Sequence, residues 1–132
     1  MKANELRINN WVTSDKENAP TPFAINRKMM QYLCKHADWH LLEPIPLTED
    51  WLVKFGFEEI VFDSEETGYG VEYEISISHG SKMVVCDDMS FGIENTELDI
   101  HWLSLDFDKF EGVHHLQNFY FALTGEELEI NL

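Results

Sequence analysis

Residues 69–78 read Tyr69-Gly70-Val71-Glu72-Tyr73-Glu74-Ile75-Ser76-Ile77-Ser78, and their alternation decides the fold. Tyr69, Val71, Tyr73, Ile75 and Ile77 fall on one side of an extended chain and Gly70, Glu72, Glu74, Ser76 and Ser78 on the other, as in a strand with one buried and one wet face. Gly80-Ser81 suits a two-residue hairpin turn with glycine first, which pairs His79 with Lys82. That register sets Ile77 opposite Val84 and Ile75 opposite Cys86, so Cys86 enters the core while Met83 and Val85 join Ser76 and Ser78 outside. Asp87-Asp88 turns the chain again, Met89, Phe91 and Ile93 alternate, and Asn95-Thr96 makes the next turn. Leu98, Ile100 and Trp102 then alternate, with Asp99 and His101 facing the other way. Period two begins at Phe57, so the stretch predicts an antiparallel meander of about five strands.

The apolar face of such a sheet needs a cover, and the end of the chain supplies a candidate. Val113, Leu116, Phe119, Tyr120 and Leu123 recur at helical spacing, and Gly125 can take the left-handed conformation that ends a helix. The expected class is α+β, a meander covered by this C-terminal helix, with two short helices in the N-terminal part. Upstream, Leu6, Ile8 and Val12 suggest an opening strand that bends near Asn9-Asn10, with Trp11 over a core edge. Thr13 to Pro22 is polar and reads as a loop. Asn26 can cap a helix whose Met30, Leu33, Cys34 and Ala37 share a face, although Arg27 and Lys28 oppose its dipole at a cost of a few tenths of a kcal/mol. Pro44 and Pro46 hold 43–47 extended. Thr48 can cap a second short helix, Leu47 can staple onto Leu52, and Gly56-Phe57 closes it.

At 132 residues the chain fits one domain, 1–132, and 44% hydrophobic with 13% aromatic residues is enough to fold despite a net charge of −16. The charge is segregated. Residues 1–54 hold seven acids and seven bases, while 55–132 hold eighteen acids against Lys82 and Lys109. Direct nucleic-acid binding needs Lys and Arg to displace counterions, and anionic membranes need them too, so neither partner is expected for the acidic region. The plainer reading is a solvated surface; the sharper one is a docking face for a basic protein. With no apolar leader near Met1 and no long apolar window, the expected setting is soluble and cytoplasmic. Cys34 and Cys86 lack metal-type spacing and read as reduced, buried thiols.

Several residue sets could carry chemistry. His36 and His40 have the i, i+4 spacing that can hold a metal on a helix, near Asp38 and Glu43, but they lack the glutamate placement of a metalloprotease helix. Glu72 and Glu74 share a strand face, as do Asp99 and His101, so acid and base groups could gather there. Ser76, Ser78, Cys34 and Cys86 sit in no nucleophile motif, and Gly68-Tyr69-Gly70 lacks the third glycine of a dinucleotide loop, so no cofactor is expected. On the last helix, His114, Gln117, Asn118 and Phe121 lie opposite the apolar stripe. An aromatic among amides and an imidazole marks a candidate binding patch; the plainer reading packs Phe121 under the N-terminal segment.

Three stretches carry a resemblance: Lys2-Ala3-Asn4-Glu5-Leu6-Arg7-Ile8, then Pro44 to Leu52 through Phe55-Gly56-Phe57, and Val113 to Asn118 through Gly125-Glu126-Glu127-Leu128. In these the chain resembles a group of small uncharacterised proteins of Bacteroides-type bacteria and their phages and prophages. Members often have glycine where Asn9 stands, and asparagine is the next-best residue for a positive φ. The resemblance implies a bacterial or phage cytoplasmic setting and carries over no catalytic residue. The leading expectation is therefore a non-enzymatic interaction protein with a basic partner. A small enzyme or metal-dependent module using His36, His40 or the strand carboxylates is the first alternative. A homodimer formed through Met83 and Val85 is the second.

Overall fold

A computed structural model of the chain describes residues 5–14, 21–65, 68–78, 80–95, 100–103 and 112–130. The chain forms two compact units. One is Met1–Pro46 with Glu111–Glu127; the other is Leu47–Phe110 with Leu128–Leu132. The class is α+β.

The first unit starts with a turn in which Asn10 N–H donates to the Arg7 carbonyl (3.1 Å) and Asn9 takes φ +77°. Asparagine tolerates this left-handed region, and the bend expected there is present. β1 (Trp11–Ser14) follows, as the centre of a three-stranded antiparallel sheet with β2 (Phe23–Ala24) and β3 (Leu42–Glu43) at its edges. Two-residue strands leave no periodicity to read, so this sheet was not legible in advance. Asn26 caps α1 (Arg27–His36), its side-chain oxygen accepting from Met29 N–H at 2.9 Å. The helix stops at Ala37, which is left-handed at φ 55°. A single 3-10 turn, Trp39–Leu41, leads into β3. Leu6, Val12, Ile25, Leu33 and Leu42 form the core, with Phe23, Met29, Met30 and Trp39 packed against them. Cys34 is exposed rather than buried, because α1 turns Leu33 inward and Cys34 lies about 100° further round.

The helix expected to cover the meander, α3 (Val113–Thr124), belongs to this first unit and packs against β1. Its N-terminus is tied to the extended 44–45 segment, where Val113 N–H donates to the Ile45 carbonyl at 2.9 Å. Gly125 ends it at φ 73°, as expected, with its N–H on the Phe121 carbonyl at 2.8 Å. The apolar stripe holds at Val113, Leu116 and Tyr120, but Leu123 is exposed and the burial extends instead to His114 and Gln117.

The second unit opens with α2 (Glu49–Lys54). Thr48 occupies the N-cap position but makes no side-chain capping bond, so the acids Glu49 and Asp50 of the first turn are what suit the helix dipole. The helix closes as expected. Gly56, at φ 89°, donates to Val53 and Phe57 donates to Leu52, each at 3.0 Å, the paired bonds of a glycine-terminated helix. Five strands then run as an antiparallel meander in sequence order: β4 (Glu58–Ser64), β5 (Gly68–Ser78), β6 (Ser81–Cys86), β7 (Phe91–Asn95) and β8 (Ile100–Leu103). The Asp87-Asp88 turn is present, with Met89 at φ 67° and Asp88 Oδ1 accepting from Ser90 N–H at 3.0 Å.

The hairpin register differs from the expected one by an odd number of residues, which exchanges the faces of β6. Ile75 stands opposite Met83, Tyr73 opposite Val85 and Glu72 opposite Cys86, with an irregularity between Ser76 and Ser78. Met83 and Val85 are therefore fully buried, and Cys86 is half-buried on the glutamate side. A dimer built on exposed Met83 and Val85 is excluded by that burial. His79, Thr96, Leu98 and Asp99 lie outside the described residues.

Candidate binding surfaces

The face of α3 singled out by sequence is occupied by the chain's own N-terminal segment. Gln117, fully buried, accepts from Trp11 N–H through Oε1 (2.8 Å) and donates from Nε2 to the Asn9 carbonyl (2.9 Å). Its amide thus bonds residues i and i+2 as a neighbouring strand would. Asn118 Oδ1 accepts from Arg7 Nε (2.8 Å) and Asn10 Nδ2 (2.9 Å), and its Nδ2 donates to the Glu5 carbonyl (2.7 Å). Arg7 also lies 4.2 Å above the Phe121 ring and pairs with Glu127 at 2.6 Å. His114 is buried at 3% exposure, so of the four only Phe121, at 38%, presents substantial surface. The plainer reading of Phe121, packing beneath the N-terminal segment, is the one its contact with Arg7 matches.

His36 and His40 do not share a helical face. Ala37 breaks the helix after His36, and His40 sits in the 3-10 turn beyond it. Both are exposed, and the His36 ring lies tilted against Tyr32, with centroids 4.3 Å apart. Among the described residues no group of three or more His, Cys, Asp or Glu side chains is placed to hold a metal.

The strand carboxylates do converge, and two more join them. Strand pairing puts Glu58 directly opposite Glu74, Ile60 opposite Glu72, and Lys82 opposite Glu94. All six side chains therefore emerge on one face of the sheet. Glu94 was legible from the alternation of Phe91 and Ile93. Glu58 required the β4–β5 pairing. Lys82 is the one cation on this face among the described residues, its Nζ 2.9 Å from Glu74 Oε1. The hydrogen bond to Glu74 and the charges of Glu74, Glu94 and Glu58 push the Lys82 pKa up. Burial, with Glu94 and Glu74 nearby, holds the Glu72 carboxyl above its ordinary value. Between Gly56, Glu58, Glu74, Ser76 and Lys82 the surface dips into a recess of about 190 Å³. The charge segregation follows the units: the second carries seventeen acids against three lysines, a net of −14, and the first eight acids against six bases, a net of −2.

Comparison of the chain with protein-family models, with curated proteins and with solved structures returns no match. Among the described residues no helix is long and apolar enough to cross a membrane.

Proposed function

We propose that the protein is a non-enzymatic interaction domain whose acidic sheet face docks a basic protein partner in a bacterial or phage cytoplasm. The observation that carries this reading is the Glu58–Glu74 pair. Like charges directly opposite across antiparallel strands destabilise a sheet, and Lys82 pairs with only one of them. A face that carries four glutamates around one lysine gains nothing in folding from that arrangement. It gains a partner's arginine or lysine, which can enter the recess beside Glu58 and share Glu74 with Lys82.

The test is titration of the intact protein with a labelled arginine-rich peptide and, as control, a glutamate-rich one. The arginine-rich peptide binds, weakens as salt rises, and is lost in the Glu58→Gln/Glu74→Gln variant but not in Glu126→Gln, an exposed acid of the other unit. Binding that ignores ionic strength, or that survives the double substitution, overturns the reading.

A further inference from the structure

A second surface, in the first unit, has the opposite character. Nine lysines and arginines serve a chain with twenty-five acids, and six of them have described side chains. Arg7 pairs with Glu127, Lys82 with Glu74, and Lys54 lies over the Trp51 ring. The remaining three, Arg27, Lys28 and Lys35, are exposed, make no ion pair among the described residues, and all stand on α1. In a chain with this excess of carboxylates, cations left unpaired on one helix are not surplus. Two of them also sit in the first turn, against the helix dipole, where folding alone favours acids.

Beside these cations lies an apolar groove of about 420 Å³. Leu33 and Leu42 form its buried floor, Met29 and Tyr32 one wall, and Leu41 the other, with Lys28 and Asp38 at the rim. Tyr32 and Leu41 are 54% and 48% exposed, large apolar surfaces left open among the described residues. Lys28, Tyr32 and Lys35 stand at i, i+4 and i+7 and so line up along one side of α1. Seven residues at 1.5 Å each separate the two lysines by about 10 Å. A helix with acids two turns apart and apolar residues between them matches cations and groove together.

The geometry points to this groove as the docking site of an acidic amphipathic helix from a protein partner, with apolar side chains seated against Met29, Tyr32 and Leu41 and carboxylates on Lys28 and Lys35. The site is independent of the acidic sheet face, and the two would bind partners of opposite charge.

The test is selection of random linear peptides displayed on phage with the intact protein, after depletion on the Leu41→Asp variant to remove binders of other surfaces. Leu41 is half-exposed, so this variant folds; circular dichroism checks it. The expected result is enrichment of sequences with Leu, Phe or Trp at helical spacing among Asp and Glu. Their synthetic copies should bind the intact protein and lose about tenfold in affinity or more with Lys28→Glu/Lys35→Glu. Failure to enrich, enrichment of basic or uncharged sequences, or indifference to the charge reversal overturns the proposal. Self-association in sedimentation that Leu41→Asp abolishes would assign the groove to a second copy and overturn it equally.

Discussion

Arg7 and Glu127, 120 positions apart in the chain, meet at 2.6 Å, with each side chain about a quarter exposed. The guanidinium also donates to Asn118 and lies on Phe121, so one side chain gathers three points of the closing segment. Both carboxylate oxygens of Glu127 accept from the guanidinium, at 2.6 and 3.4 Å, so Glu127→Gln removes the charge and one acceptor and should cost about 1 kcal/mol in urea unfolding. Arg7→Lys keeps the charge but not the planar fork or its stacking, and should cost more than Glu127→Gln. A double-substitution cycle with Phe121→Ala separates the ring contact from the ion pair.

Gln117 gives a sharper chemical signature. Gln117→Ala leaves Trp11 N–H and the Asn9 carbonyl unpaired in a buried site and should cost about 2–4 kcal/mol. Gln117→Glu keeps the acceptor for Trp11 but turns an anion on the Asn9 carbonyl. That variant should recover stability as pH falls and its carboxyl takes a proton. A loss that stays constant with pH would refute the contact with the Asn9 carbonyl.

Gly112 tests the seat of α3. A Cβ there would lie 2.9 Å from the Ile45 carbonyl oxygen and 3.0 Å from Pro44 Cβ, both in the extended segment that also accepts Val113 N–H. Gly112→Ala should therefore cost about 1–3 kcal/mol by thermal or urea unfolding, even though the residue's extended φ is open to any side chain.

The acidic face predicts a trade. Glu58→Lys replaces a like-charge pair opposite Glu74 with an opposite-charge one and should stabilise the protein by about 0.5 kcal/mol while abolishing binding of the arginine-rich peptide. Glu72 adds a pH dependence. Its folded pKa is raised, so between its ordinary value and the raised one the folded state holds the proton more tightly, and stability falls as pH rises through that window. Glu72→Gln should consequently raise the urea midpoint at pH 7 and lose that advantage toward pH 4.

The two thiols should separate kinetically. Cys34 is exposed, whereas burial pushes the Cys86 thiol up. With a chromogenic disulfide reagent at pH 7, one equivalent should react fast and disappear in Cys34→Ser, and the second should react slowly until denaturant is added.

Where sequence reading succeeded and failed has a common physical cause. β5 was legible because Val71, Tyr73, Ile75 and Ile77 alternate with polar residues, and α2 because glycine must close it. β6 was not, because Met83, Val84 and Val85 are all fully buried; an uninterrupted apolar run says nothing about which face is which. The register then rested on the turn, and the irregularity between Ser76 and Ser78 moved it. α3 was placed correctly along the chain, but its packing on β1 was not legible, since an apolar stripe names no partner. Gln117 and Asn118 held that information, as amides on a helix face with no reason to be there except a backbone to bond. On the acidic face, Glu72 and Glu74 were visible in one strand, while the Glu58 contact depends on which strand lies alongside.

The assignment of 111–127 to the same unit as 1–46 makes the first unit discontinuous, with most of the second inserted between its parts. A ribosome delivers the five strands of the meander before it delivers α3. Their partners are neighbours in sequence, so the meander can form early. Asn9 and Trp11 must wait more than a hundred codons for the Gln117 amide that satisfies their backbone. Until then those two backbone groups lack that amide, and a stalled or truncated product would be released in that state.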